Sequence, residues 1–212
     1  MSILHVNHSD ISGGAARAAY RIHRSLLGAR VDSRMRVIHK SSDDESIQEG
    51  LPAGNGLIRR RIRSHLARLP LRGFRTANPI LHSAAWPDTG LGRELNASDA
   101  DVLNLHWLGT GTISIEEIGR LTKPVVWTLH DMWAFCGAEH YADDRPDSRF
   151  RLGYRPDNCP PDERAKDLNR VIWQRKHRYW RLPMEIAYLS AWLADCVRES
   201  ACSSRLLARC WA

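Results

Sequence analysis

Five short apolar segments, each running into turn formers or a stretch of helical period, constrain this chain more than any other feature. SILHVNH (2–8), SRMRVI (33–38), DVLNLHW (101–107), PVVWTLH (124–130) and MEIAYLS (184–190) have the length and composition of buried strands. In AARAAYRIHRSLLG, Ala16, Ala19, Tyr20, His23, Leu26 and Leu27 share one helical face, and Gly28 follows as a stop signal. ISIEEIGRL (113–121), AKDLNRVIWQRKHRYWR (165–181) and AWLADCVRES (191–200) read as further helices. This alternation predicts the α/β class: a Rossmann-like parallel sheet, helices on both faces, with central strands within 3–7, 34–38, 101–106, 124–129 and 184–189. Residues 39–56 read as a surface loop. Residues 70–100, with Pro70, Pro79 and Pro87, read as an irregular excursion, and 137–163, with four prolines, as a long loop. These last two are expected to be the least ordered parts.

At 212 residues the chain is sized for one domain, expected over 1–200 with a separate tail at 201–212. No stretch approaches the roughly 18 apolar residues of a membrane span. MSILHVNHSD lacks a basic n-region and a long apolar h-region, so the expected location is cytoplasmic. Cys136, Cys159, Cys196, Cys202 and Cys210 are odd in number and form no CxxC pair, which favours free thiols over a disulfide framework.

Lysine and arginine outnumber aspartate and glutamate by 31 to 24, a net charge of +7 that favours anionic partners. Much of the excess lies in LIRRRIRSHLARL (57–69). Ile58, Ile62, Leu66 and Leu69 share one helical face there, while Arg59, Arg60, Arg61, Arg63 and Arg68 carry the charge. A basic amphipathic helix of this kind can lie on an anionic membrane; a merely solvated arginine face fits the pattern equally well. The alternative is a basic α/β binding module for nucleic acid or anionic membrane, without catalysis. Against nucleic acid, no helix-turn-helix, RRM, KH or zinc motif occurs, and aromatics do not interleave with the arginines.

In a parallel α/β sheet, ligands bind beyond the carboxyl ends of the strands. Three such ends carry chemistry-bearing residues. Gly13 and Gly14 precede the first helix, where a close backbone approach and free N–H groups suit phosphate; the pattern is neither GxGxxG nor a P-loop. His106 and Trp107 end the third strand. His130, Asp131 and Trp133 follow the fourth, offering an imidazole donor, a carboxylate acceptor for hydroxyl protons and an aromatic face. Cys136, His140 and Cys159, or His106, His130 and Asp131, would be the available metal ligands, but neither set has zinc-site spacing, and no metal is expected. A hydrolytic Ser–His–Asp set lacks its GxSxG elbow.

Taken together, HVNHSDISGGAARAAYRIHRSL, ADVLNLHW and KPVVWTLHDMWAFCGAEHY resemble the N-terminal half of bacterial family 4 glycosyltransferases of exopolysaccharide, colanic acid or O-antigen synthesis. SAWLADCVRES is similar to the family's PSRWLAD segment, with Ala191 where arginine or lysine is usual. The resemblance implies the acceptor-side domain of a two-domain B-type fold, performing metal-free, retaining transfer from a nucleotide sugar to a lipid-linked or saccharide acceptor. It implies donor phosphates at Gly13 and Gly14, the transferred sugar at His130, and the acceptor near His106, Asp131 and Trp133. It requires no cofactor beyond the sugar-nucleotide substrate, and contact with the inner face of the membrane accords with it. The family's donor site, with paired glutamates, lies in a second half, and ACSSRLLARCWA does not follow the family pattern. A truncated or frameshifted half, inactive by itself, is the resulting expectation.

Overall fold

The computed structural model describes residues 1–50 and 65–202, and the backbone of 207–210. β1 (Ser2–Ser9), β2 (Asp32–His39), β3 (Ile47–Glu49), β4 (Val102–Leu105), β5 (Val125–Leu129), β6 (Met184–Tyr188) and β7 (Leu207–Cys210) pair in the order β3-β2-β1-β4-β5-β6-β7. Every pairing is parallel, as in Ile3 opposite both Ser33 and Val102. This is the Rossmann-like α/β architecture, and the strand order reverses direction between β1 and β4. Flanking the sheet among the described residues, besides the helical residues 65–68, are α1 (Gly14–Gly28), α2 (Leu91–Ala97), α3 (Ile115–Ile118), α4 (Arg149–Leu152), α5 (Leu168–Tyr179) and α6 (Ala191–Glu199). Among the described residues no helix is long and apolar enough to cross a membrane.

The period-2 alternation of the central strands splits the sheet chemically. Val6, Leu103, Leu105, Trp127 and Leu129 join the main apolar core, while a smaller cluster of Ala19, Met35, Val37 and Ile47 lies under α1. Between these apolar rows the alternate positions His5, Asn7, Asn104 and Thr128 are polar and buried. Parallel strands covered on both faces usually read as continuous apolar runs, so this polar row is an exception that must be hydrogen-bonded to be tolerated.

Local signals set the helix ends. The Ser190 side chain accepts from the Leu193 N–H to start α6, and the Asp167 side chain accepts from the Arg170 N–H to start α5. The helix expected at 113–121 shortens to α3, opened by a capping box between Ser114 and Glu117. Several other expectations are corrected. The polar loop 39–56 contains β3, because Ile47 is buried and pairs with Met35. The excursion 70–100 contains α2, whose Leu91 and Leu95 enter the core. The 201–212 tail contributes the backbone of β7. Residues 51–64, including Arg59, Arg60, Arg61 and Arg63, lie outside the described residues; 65–68 are helical and lead into a 3-10 turn at Leu69–Leu71. Cys136, Cys159, Cys196 and Cys202 are free thiols, as expected, and all four are buried.

Loop 137–163 is packed rather than open. Its Phe150 and Tyr154 are buried in the core, and the Tyr154 hydroxyl donates to Glu139. Arg149 reaches Asp167 at 2.7 Å and Glu163 at 3.3 Å. The buried Lys176 ammonium on α5 donates to the carbonyls of Trp133, Cys136 and Gly137, and the Asn169 side chain accepts from the Ala138 N–H. At Gly137 a Cβ would come within 2.7 Å of the Asn169 backbone, so only glycine lets this turn lie on α5.

Glu117 is a second tie. Its buried carboxylate accepts from the backbone N–H groups of Thr89, Gly92 and Ser114 and from the hydroxyls of Thr89 and Ser114. Removing it leaves several buried donors without a partner, each costing roughly 1–3 kcal/mol. Glu117→Ala should therefore lower the unfolding free energy by about 3–5 kcal/mol. Glu117→Gln, which keeps one acceptor oxygen, should lose clearly less; urea titration of the three proteins measures the difference.

Candidate functional site

In a parallel α/β sheet the reversal of strand order, here between β1 and β4, marks where a ligand crevice forms at the carboxyl edge, and His8, His106 and His130 lie at that edge. Beyond β4, His106 donates its backbone N–H to Val6, and the Trp107 N–H donates to the Asn7 side chain. Near the end of β1, the His8 ring meets the hydroxyls of Thr110 and Thr112. His130 follows β5 directly, two strand spacings from β1, or roughly 10 Å.

On the helix side of this edge, Gly13 caps α1 with φ 93° and ψ 171°, a conformation open essentially to glycine alone. No side chain caps α1, and its first turn carries no acid. A Cβ built on Gly13 or Gly14 would meet nothing within 4 Å, so the backbone here is open on its outer side. The nearby carboxylate, Asp10, is buried and turned away, accepting from the N–H groups of Ile11, Ser41 and Ser42. Burial would raise its pKa, but the bonds from Ser42, Ser41 and Ile11 together hold it below the usual value. The first turn of α1 thus presents N–H groups and no compensating negative charge, the electrostatics of an anion site.

Three imidazoles form a hydrogen-bonded chain from β1, past the end of β4, to the residue after β5. His5 Nδ1 lies 3.0 Å from His106 Nε2, and His106 Nδ1 lies 3.0 Å from His130 Nε2. His5 and His106 are buried, and His130 is half-buried. Behind them, His23 bonds the hydroxyls of Ser33 and Ser46 and meets the His5 ring edge-on. Burial lowers all four pKa values: His5 falls to about 4, with help from His23, and His106 falls well below the usual value. At His130 burial outweighs the opposing pull of Asp131. The chain is therefore neutral at pH 7.

The remaining expected site residues have other surroundings. His106 has both ring nitrogens engaged and reaches a ligand only through His130. Asp131 is buried, accepting from the Trp133 N–H and, at 2.5 Å, from His140 Nδ1. Trp133 is 2% exposed, donates its indole N–H to the Ser83 carbonyl and carries the Lys176 ammonium 3.9 Å from its ring centre. Asp131 and Trp133 thus serve as scaffold behind His130. His140 Nε2 also lies 2.7 Å from Ser83 Oγ, so Ser83, His140 and Asp131 stand in the order of a nucleophile, base and acid. Ser83 is 4% exposed, which closes it to a substrate carbonyl; the relay fastens the turn after β5. Sequence reasoning missed this set because Ser83 and His140 lie 57 residues apart and follow no motif.

Beside His130 lies an exposed aromatic pair. The Tyr141 hydroxyl donates to the His130 carbonyl, and its ring is 19° from parallel with Trp192, whose indole N–H is held by Asp144. Cys159, Glu163 and Asp167 bring ligand atoms within 4.8 Å of one another, but Arg149 is already paired with both carboxylates and supplies the charge a cation would bring.

The buried imidazoles make stability pH-dependent with a definite sign. His5 takes a proton at 6.5 when unfolded but only near 4 when folded, so the unfolded chain binds more protons between those values. Stability should be full above pH 6.5 and fall as pH drops towards 4, with about 3 kcal/mol coming from His5 alone. Urea titrations between pH 7.5 and 4.5 should show a shallower loss for His5→Gln than for the natural chain. No family model, curated protein or solved structure matches this chain.

Proposed function

We propose that this chain is the acceptor-side domain of a retaining glycosyltransferase that uses a nucleotide sugar in the synthesis of a surface polysaccharide. The observation that carries this reading is the pairing of an open, acid-free helix start at Gly13–Gly14 with His130 on the same edge of the sheet. That placement accords with a diphosphate at the glycines and its sugar at the imidazole. Transfer passes through an oxocarbenium-like state while a nucleoside diphosphate leaves, so the protein's work is to hold phosphates and position the sugar. A neutral His130 adds no positive charge beside that developing cation. The exposed rings of Tyr141 and Trp192 offer flat apolar faces for an acceptor saccharide beside it. No metal or cofactor enters this scheme.

Peripheral contact with the inner face of an anionic membrane belongs to the same reading. Its support is an apolar groove of about 630 Å³ lined by Leu66, Leu69, Pro70, Trp86, Pro87 and Val171. In sequence, this groove adjoins Arg59, Arg60, Arg61 and Arg63. Each arginine near an anionic surface contributes on the order of 1 kcal/mol, less at high salt. Changing these four arginines to glutamine should abolish flotation with anionic liposomes. Retention of a DNA duplex at matched salt, with no flotation, would favour the nucleic-acid alternative instead.

Gly14 separates binding from folding. Its outer side is empty, so Gly14→Ala should leave stability unchanged or slightly raised, while its methyl blocks the approach of phosphate. Titration of nucleoside diphosphate sugars into the ¹⁵N-labelled chain should shift the Gly13 and Gly14 amides with a Kd on the order of millimolar, as expected for a few hydrogen bonds. Gly14→Ala should lose that response, and in an enzyme reconstituted with a supplied donor-binding half His130→Ala should cut transfer by about a hundredfold. Unchanged binding by Gly14→Ala would overturn the placement of the phosphates.

A further inference from the structure

The chain of imidazoles has a direction, and the direction is set at its buried end. The Asn104 amide lies between β1 and β5. On one side its Nδ2 faces the Val126 carbonyl at 3.3 Å and Thr128 Oγ1 at 3.1 Å. A carbonyl only accepts, so the NH₂ group must point there, and Oδ1 must point to His5 Nδ1, 3.1 Å away. Turning the amide over would set Oδ1 against the Val126 carbonyl, acceptor against acceptor.

With Oδ1 facing it, His5 Nδ1 must carry the hydrogen. That N–H is shared between Asn104 Oδ1 and His106 Nε2, so His106 Nε2 accepts. A neutral His106 then has its hydrogen on Nδ1, which donates to His130 Nε2. His130, accepting through Nε2, keeps its own hydrogen on Nδ1, an atom with no protein partner among the described residues. The opposite direction fails twice at His5. It would set a bare His5 Nδ1 against Asn104 Oδ1, and it would place a hydrogen on His5 Nε2, which is buried and has no partner. A buried N–H without an acceptor is worse tolerated than a lone pair without a donor.

We propose that Asn104, His5 and His106 are positioning residues that hold His130 in its Nδ1–H form, so that His130 meets its ligand as a hydrogen-bond donor to an oxygen atom and not as a base. This holds whether or not that ligand is a sugar nucleotide, because it follows from the protein's own donors and acceptors. It identifies the chemical class the site receives: an oxygen with free lone pairs, as on a hydroxyl, carbonyl or phosphate. A proton to be abstracted, or a metal ion needing a bare nitrogen at the outward position, does not match.

Long-range ¹H–¹⁵N correlation of the histidine rings in the full chain at pH 8 reads each tautomer directly. The expected result is protonated Nδ1 and bare Nε2 at His5, His106 and His130 alike. A predominant Nε2–H form at His130 in the natural protein overturns the proposal without any variant. Two substitutions then test the origin of the effect. Asn104→Leu removes the acceptor that orients His5, and Thr128→Val loosens the amide while touching no ring. Both should convert His130 from one tautomer to a mixture, more completely in the first. A His130 spectrum unchanged in a folded Thr128→Val protein, with Asn104→Leu either unchanged or unfolded, would mean that the relay does not set the tautomer and would sink the inference.

Discussion

A polar row through the middle of a parallel sheet is the constraint on which this molecule depends. His5, Asn7, Asn104 and Thr128 occupy positions that a doubly covered sheet normally fills with aliphatic side chains. Each buried polar group is costly unless bonded, so the row is stable only as a connected network. Satisfying it ties the network to strand register: Asn104 lies opposite His5 on β1 and opposite Val126 on β5, from where its side chain reaches Thr128, two residues along β5. A slip of one residue would break the network and expose the apolar rows together.

The edge of the sheet is kept in shape by ties of a different kind. Lys176 and Asn169 fasten the turn after β5 to α5, and His140 braces Asp131 against Ser83. Burial lowers the Lys176 pKa to about 7, against the opposing influence of Cys136 and Glu139, so its hold on three carbonyls weakens as pH rises through neutrality. The turn that carries His130 is thus built on buried contacts, and among the described residues His130, Tyr141, Trp192 and the start of α1 remain open around it.

Much of this architecture was legible in the residues because its signals are local. Apolar runs marked five strands, and helical periodicity marked α1, α5 and α6. What was illegible depended on distant partners. Ile47–Glu49 is too short and polar to announce a strand without β2 beside it. Phe150 and Tyr154 lie in a stretch without periodicity, and distant ties such as Arg149 to Asp167 show why that loop is folded inward. At the site, Gly13, Gly14, His106 and His130 stood out because they follow strand ends. His5 did not, since a mid-strand histidine reads as packing until its neighbour across the sheet is known. Asp131 and Trp133 drew notice as acceptor-side candidates, yet both are buried, with their polar atoms bonded within the fold.

The pairing of β1 with β4 also governs how the molecule comes into being. His5 and Asn104 are 99 positions apart, and His5 and His106 are 101 apart. Contacts of such high order are slow to form, because a long loop must be closed before any interaction rewards it. During synthesis β1 and β2 can associate early, but the imidazole chain cannot assemble until the residues beyond Trp107 have emerged. The ring-to-ring bonds therefore belong to the late, topologically complete state, and an intermediate holding only the first half of the sheet would contain the glycine turn without the histidine it faces.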